Sequence, residues 1–224
     1  MLDFGFYNID CMEGMKQFPD KFFELAIVDP PYGLERMKHG TAKNNRTGFA
    51  TGEWNNNKPT QEYFSELFRV SKNAIIWGAN NFTLPESEYF IVWDKQQPID
   101  SYADAELAWT NYKMPAKVFH YSVFKLMQDR KDDVKIHPTQ KPVALYEWLL
   151  TNYAHKGDKI LDTHVGSASS LIACEKLGFQ YVGFEIDDDY FNAAQERITK
   201  FKNQVSIFDL DETLPRFEQN RLEV

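Results

Sequence analysis

Cysteine is nearly absent from this chain: Cys11 and Cys174 are the only two in 224 residues, and they stand far apart. So sparse a pair excludes a disulfide framework and a thiolate zinc site. Cys174 reads as a small buried hydrophobe. Also missing is any apolar run of membrane-spanning length. Residues 1–4 carry no basic stretch leading into an apolar one, so a cytoplasmic protein is expected. Nor is the chain basic. A net charge of −8 argues against indiscriminate coating of nucleic acid. No repeat or low-complexity tract interrupts it, and the length fits one domain with an inserted segment.

The charge is uneven, and that matters more than its sum. Residues 35–58 hold five Lys or Arg against two acids, and residues 113–141 hold seven against three. Residues 182–224 reverse the balance, with ten acids and five bases. Such asymmetry permits one nucleic-acid-facing side on an acidic protein, although it is also common on proteins without that partner.

What is present is concentrated in Asp29-Pro30-Pro31-Tyr32-Gly33, at the end of the apolar run Leu25-Ala26-Ile27-Val28. That places a carboxylate, two stiff prolines and an aromatic ring at the C-terminal tip of a buried strand, where open α/β sheets hold ligands. Prolines have a fixed φ and no N–H, so the turn is rigid and its carbonyls are free. Tyr32 offers a ring face for stacking, and Asp29 and the Pro30 carbonyl offer acceptors to an exocyclic amine.

Strand-like runs fall at residues 4–9, 24–28, 73–77, 89–93, 105–109, 118–123, 159–161 and 181–184. Helix-like runs fall at 60–70, 141–154, 169–177 and 188–201. Alternation of this kind predicts a parallel, doubly wound α/β sheet. Two stretches resist it. Residues 34–58 are polar and loop-like, a length that in compact domains is usually functional or mobile. Residues 94–136 are expected to form a hairpin with a small recognition segment.

A second site signal is Asp162-Thr163-His164-Val165-Gly166-Ser167-Ala168, a strand end, a small-residue turn and a helix start, where backbone can approach a ligand closely. Glu185 follows the next strand about twenty residues on, the place of an acid that accepts ribose hydroxyls. Together these form an adenosyl-cofactor site. Ordinary strand-to-helix punctuation is the competing reading.

In this order the motifs resemble the DNA amino-methyltransferases that use S-adenosylmethionine, in the permuted β-type arrangement. The resemblance runs from about residue 7 to residue 200. It is carried also by Asn8-Ile9-Asp10-Cys11-Met12, Arg69-Val70-Ser71-Lys72, Trp93-Asp94-Lys95 and His137-Pro138-Thr139-Gln140-Lys141-Pro142. It implies a doubly wound, Rossmann-like methyltransferase sheet, mostly parallel with one antiparallel strand and in circularly permuted motif order. Residues 1–224 would then be one methyltransferase domain. The implied activity is methyl transfer from S-adenosylmethionine to adenine N6 of a flipped base in double-stranded DNA, with cytosine N4 as the alternative. Those cytosine relatives usually begin the motif with Ser where this chain has Asp29.

The resemblance assigns catalysis to Asp29, Pro30, Pro31 and Tyr32. Asp10, Cys11, His137, Lys141, Asp162, Thr163, Gly166, Ser167 and Glu185 fall in its cofactor motifs. No metal is implied, and His137 lacks partners at ligand spacing. The family usually has Pro where this chain has Thr163, and Gly where it has Ala168. Ala168 is expected to resist a positive φ. From other classes, a nicotinamide oxidoreductase would leave Asp29–Tyr32 unexplained, and a DNA-binding module on a decayed fold would not bind the methyl donor.

Arg36, Lys38, Lys43, Arg46, Lys125 and Arg130 are the candidates for DNA contacts. In the tail at residues 203–224, Gln204, Ile207 and Phe208 resemble the short peptides that bind bacterial sliding clamps. A C-terminal strand packed on its own domain is the favoured alternative. A monomer or a homodimer fits this reading.

Overall fold

The computed structural model of the chain describes residues 1–33, 58–97, 100, 103–122 and 135–212, with 205–212 as backbone alone. The strands are β1 (Gly5–Tyr7), β2 (Phe23–Val28), β3 (Ser71–Trp77), β4 (Phe90–Asp94), β5 (Ala105–Thr110), β6 (Lys117–His120), β7 (Lys159–Asp162) and β8 (Gln180–Phe184). The helices are α1 (Cys11–Met15), α2 (Gln61–Val70), α3 (Val143–Tyr153), α4 (Ser169–Leu177) and α5 (Asp188–Glu212). All eight strands join one sheet in the order β1-β8-β7-β2-β3-β5-β4-β6. Only β5 runs against the others, pairing antiparallel with both β3 and β4.

Alternation along β2 divides the core. Leu25 and Ile27 join Leu145, Leu149 and Cys174 on the face covered by α3 and α4. Ala26 and Val28 join Met15, Phe64 and Leu67 under α1 and α2. A strand buried on both faces reads as a continuous apolar run, which is why 24–28 was legible. In α2, Tyr63, Phe64, Leu67 and Val70 recur at helical spacing and are all buried.

The crossovers fix where a ligand can bind. From β2 the chain passes through α2 to β3 on one side, and from β7 through α4 to β8 on the other, while β2 and β7 are hydrogen-bonded neighbours. The crevice at such a reversal, outside the carboxyl ends of the strands, is where open α/β sheets take their ligands. Asp29 and Asp162 stand at those two ends.

Several expectations are corrected. Helix α1 escaped the sequence reading because it is one short turn; Asp10 Oδ1 caps it, accepting from the N–H of Met12 at 2.8 Å and of Glu13 at 3.3 Å. Among the described residues of 94–136, β5 and β6 do not pair with each other as a hairpin: β5 runs antiparallel to β4 and β6 parallel to it. Ala168 does adopt a positive φ of 61°. It is fully buried, its N–H is bonded to the Val165 carbonyl at 3.0 Å, and the Arg197 guanidinium holds the carbonyl of the preceding Ser167. The surroundings therefore impose a conformation that costs an alanine about 1–2 kcal/mol.

The last helix runs to Glu212 instead of stopping near 201. No glycine or proline occurs between Lys200 and Glu212 to end it. Val205–Phe208 is thus helical, where the sequence favoured a C-terminal strand.

Candidate active site

One cavity of about 1100 Å³ opens at the carboxyl ends of β2 and β7. Asp29, Pro30, Pro31 and Tyr32 line one part of it, and Asp10, Gly166, Ser167 and Glu185 another. His137 and Lys141 complete the wall. The two sequence signals, far apart along the chain, therefore meet in a single chamber.

At the Asp29 end the side chains are tightly interlocked. The Tyr32 hydroxyl donates to Asp29 Oδ1 at 2.5 Å, and the Lys141 ammonium donates to Asp29 Oδ2 at 2.5 Å. Lys141 Nζ also lies 2.9 Å from Glu106 Oε2, and Lys95 Nζ lies 2.6 Å from Glu106 Oε1. The Lys141 side chain is only 3% exposed, with the rings of Trp77 and Tyr32 at 5.6 and 5.8 Å from the ammonium. Burial alone would lower its pKa, but Asp29 and Glu106 outweigh burial and hold it above the usual lysine value. Burial would likewise raise the Glu106 carboxyl; Lys141 and Lys95 reverse this and hold it at about 2.

Tyr32 is seated by a glycine. Gly78 has φ 72°, and a Cβ there would stand 2.2 Å from Tyr32 Cε1, so only a residue without a side chain lets the ring lie against the turn after β3. The edge of Phe82 meets the same ring, with centroids 6.0 Å apart. Burial, then Asp29 and Glu106, push the Tyr32 phenol up, so it remains a donor at neutral pH.

At the other end the Glu185 carboxylate accepts from the N–H of Gly166 at 2.8 Å and of Asp187 at 3.0 Å. An ionised carboxylate has about four acceptor positions, so capacity is left for a hydroxyl donor in the cavity. Asp162 and Thr163 are not on the cavity wall. Asp162 is 3% exposed and accepts from the His164 N–H at 3.0 Å and from the Ser170 hydroxyl. Burial pushes it up to about 7, although those two bonds pull the other way. Thr163 Oγ1 bonds the Tyr63 hydroxyl at 2.6 Å and His164 Nδ1 at 2.9 Å. Both residues shape the turn from behind. Cys11 also stays off the wall, and burial, then Asp10, push its thiol up to about 12.

His137 reaches the cavity with its ring edge-on to Tyr190, centroids 4.4 Å apart, and Thr139 Oγ1 lies 3.1 Å from its Nδ1. Burial, then Lys141 and Lys135, lower it to about 4, so it is neutral at pH 7. Among the described residues no group of acids, histidines and cysteines could hold a metal, and no helix is long and apolar enough to cross a membrane. Arg36, Lys38, Lys43, Arg46, Lys125 and Arg130 lie outside the described residues. Gln204 is exposed on α5, and nothing of the Ile207 and Phe208 side chains is described.

Glu106, Lys95 and His164 line the cavity and were missed by the sequence reading. For Glu106 a signal existed: a carboxylate inside the apolar strand Ala105–Thr110 needs a buried partner.

A doubly wound sheet with an acidic, aromatic turn facing a small-residue turn across one chamber defines an N6/N4-type amino-methyltransferase. The DNA methylase family matches residues 76–196, more than half of the chain, and the protein belongs to it. The chain is similar to the type II methyltransferase M.HinfI of Haemophilus influenzae, at 22% identity over 95% of this chain and 74% of that protein. Its fold matches that of M1.HpyAVI, solved with S-adenosylmethionine (SAM), at a TM-score of 0.56 and 20% identity over 86% of this chain and 98% of that one. It also matches PvuII DNA methyltransferase, a cytosine-N4-specific enzyme, at a TM-score of 0.55 and 14% identity over 92% and 93% of the two chains. The family's methyl donor is S-adenosylmethionine.

Proposed function

We propose that the protein is a site-specific DNA methyltransferase that modifies N6 of an adenine flipped out of the duplex. The observation that carries this reading is the position of Asp29: a carboxylate at the tip of β2, held between a phenol and an ammonium, facing the Glu185 end across one chamber.

A base inside a duplex cannot present its amino nitrogen to a cleft, so it must be extruded, at a cost of about a few kcal/mol. Stacking on Tyr32 recovers about 1–3 kcal/mol of that. The amino nitrogen is a poor nucleophile because its lone pair is delocalised into the ring. Hydrogen bonds from it to the Asp29 carboxylate and the Pro30 carbonyl favour tetrahedral geometry and free that pair. Asp29 then stabilises the positive charge that develops on nitrogen, and the rigid Pro30-Pro31 turn fixes the approach, since positioning supplies much of the rate.

S-adenosylmethionine, when bound, supplies an electrophilic methyl group on sulfur. Glu185 has acceptor capacity for ribose hydroxyls, Asp10 is held in place by its cap of α1, and the Gly166-Ser167 turn lets a ligand approach the backbone. Lys141 belongs with Asp29 in this scheme rather than with the donor. Sequence-specific reading of DNA is assigned to residues 34–58 and 94–136, with Arg36, Lys38, Lys43, Arg46, Lys125 and Arg130 as its contacts.

The second reading is cytosine N4. It is favoured by the fold shared with the cytosine-N4-specific PvuII enzyme, and the same two acceptors would serve that amine. Hydrolysing unmodified genomic DNA after incubation with the protein and S-adenosylmethionine, and separating the nucleosides by mass spectrometry, decides between them. N6-methyladenine is expected, and N4-methylcytosine in its place refutes the adenine assignment.

A further inference from the structure

We propose that the Lys141 ammonium competes with the target amino group for Asp29, and that Glu106 is the positioning residue that keeps the ammonium once the base has displaced it. This rests on the reading of Asp29 as the acceptor of that amino group.

Both Asp29 oxygens are engaged, Oδ1 by the Tyr32 hydroxyl and Oδ2 by Lys141, each at 2.5 Å. Each oxygen keeps a second acceptor position, but at Oδ2 an amine would share a carboxylate already neutralised by a cation, so the full charge reaches it only when the ammonium is displaced. The phenol is wedged between the Gly78 turn and Phe82. The ammonium has somewhere to go, because Glu106 Oε2 is already 2.9 Å from it. Glu106 does not depend on Lys141 for its own position. It sits on β5, and its second oxygen is anchored by Lys95 at 2.6 Å.

Without Glu106 the displacement would leave the ammonium without a counter-charge, facing only the Tyr32 hydroxyl at 3.3 Å, on a side chain that is 3% exposed and backed by the ring of Trp77. A buried charge with no partner is strongly unfavourable, so the base would have to expel Lys141 against that penalty. With Glu106 the ammonium gives up one of two carboxylates and keeps the other. The exchange also serves the chemistry. Once the cation has moved from Oδ2, the full negative charge of Asp29 is available to the nitrogen on which positive charge develops. Lys141 does not act as a base in this scheme, because the flanking carboxylates keep it protonated.

The test uses the full-length protein with labelled S-adenosylmethionine and unmodified genomic DNA, measuring the single-turnover rate of methyl transfer. Binding of S-adenosylhomocysteine (SAH) by calorimetry is the control. Glu106→Gln should slow transfer about tenfold or more while the calorimetric affinity changes by less than about threefold. Adding Lys141→Met to Glu106→Gln should then restore at least about tenfold of the lost rate, because it removes the competitor. A merely structural role for Glu106 predicts no such rescue.

A double variant as slow as Glu106→Gln, or slower, overturns the proposal. So does a fall in SAH affinity parallel to the fall in rate. If Glu106→Gln does not fold, Lys141→Met alone decides: a lower KM for DNA than the wild type supports the competition, and an equal or higher one overturns it. Asp29→Ala separates the two levels. Transfer that survives Asp29→Ala defeats the acceptor reading itself, whereas its loss together with a failed rescue defeats only the role given to Glu106 and Lys141.

Discussion

Lys141 and Asp29 are separated by 112 positions in the chain, yet the ammonium of one lies 2.5 Å from the carboxylate of the other. This contact joins the turn after β2 to the segment before α3 and makes the Asp29 end of the cavity a single charged cluster. Its cation is buried and has two carboxylate partners, so the contact bears on stability and, under the proposed function, on substrate entry.

Tyr32 has two separable functions in this arrangement. Tyr32→Phe removes the bond to Asp29 but keeps the ring, and transfer should fall by about 10–100-fold, the equivalent of one net hydrogen bond to a charged group. Tyr32→Ala removes the stacking face as well, and affinity for DNA should drop by a further factor of about 10–100. Steady-state KM and kcat of both variants on the same DNA check this. Equal losses in the two would show that the ring face does not contribute.

Gly78→Ala tests the seat of that ring. The added methyl would meet Tyr32 Cε1 at 2.2 Å, and the backbone there has φ 72°. The protein should lose about 1–2 kcal/mol of stability from the backbone alone, visible as a lower Tm, and the displaced Tyr32 should raise KM for DNA more than KM for S-adenosylmethionine.

Asp162 makes a prediction about pH. Its folded pKa is about 7, raised by burial, against about 3.9 in an unfolded chain. A carboxyl raised in this direction supports the fold fully below about pH 3.9, and that support is lost as pH rises towards 7. Asp162→Asn can keep the bonds to His164 and Ser170 without the charge. Relative to the wild type it should therefore gain stability as pH rises from about 4 to 7, by about 1–3 kcal/mol. His137 and His164, both lowered to about 4 with burial as the first cause, act in the opposite sense over this range. They are common to both proteins and cancel in the comparison. Denaturant unfolding at several pH values measures it, and a difference that does not change with pH refutes the assignment.

The Asp29–Tyr32 turn was legible because its chemistry is contiguous: four residues in a row at the end of an apolar run offer a carboxylate, rigidity and a ring. The Glu185 end was legible for a similar reason, since strand, small turn and acid follow at a spacing the fold dictates. Glu106 was not, because its role depends on the register of β5 against β3 and β4 and on a lysine from another part of the chain. Asp162 and Thr163 belong to the turn the sequence singles out but do not line the cavity, and a linear motif does not say which side chains face it. Ala168 was misjudged on intrinsic preference, which tertiary packing overrode.

The most direct test of the account is Asp29→Ala, measured for methyl transfer to DNA and for SAH affinity in the same preparation. Transfer should fall by at least about 100-fold, as expected when a preorganised electrostatic partner of the reacting nitrogen is lost. SAH affinity should stay within about threefold of the wild type. Transfer at the wild-type rate, or a loss of SAH binding that matches the loss of transfer, would contradict it.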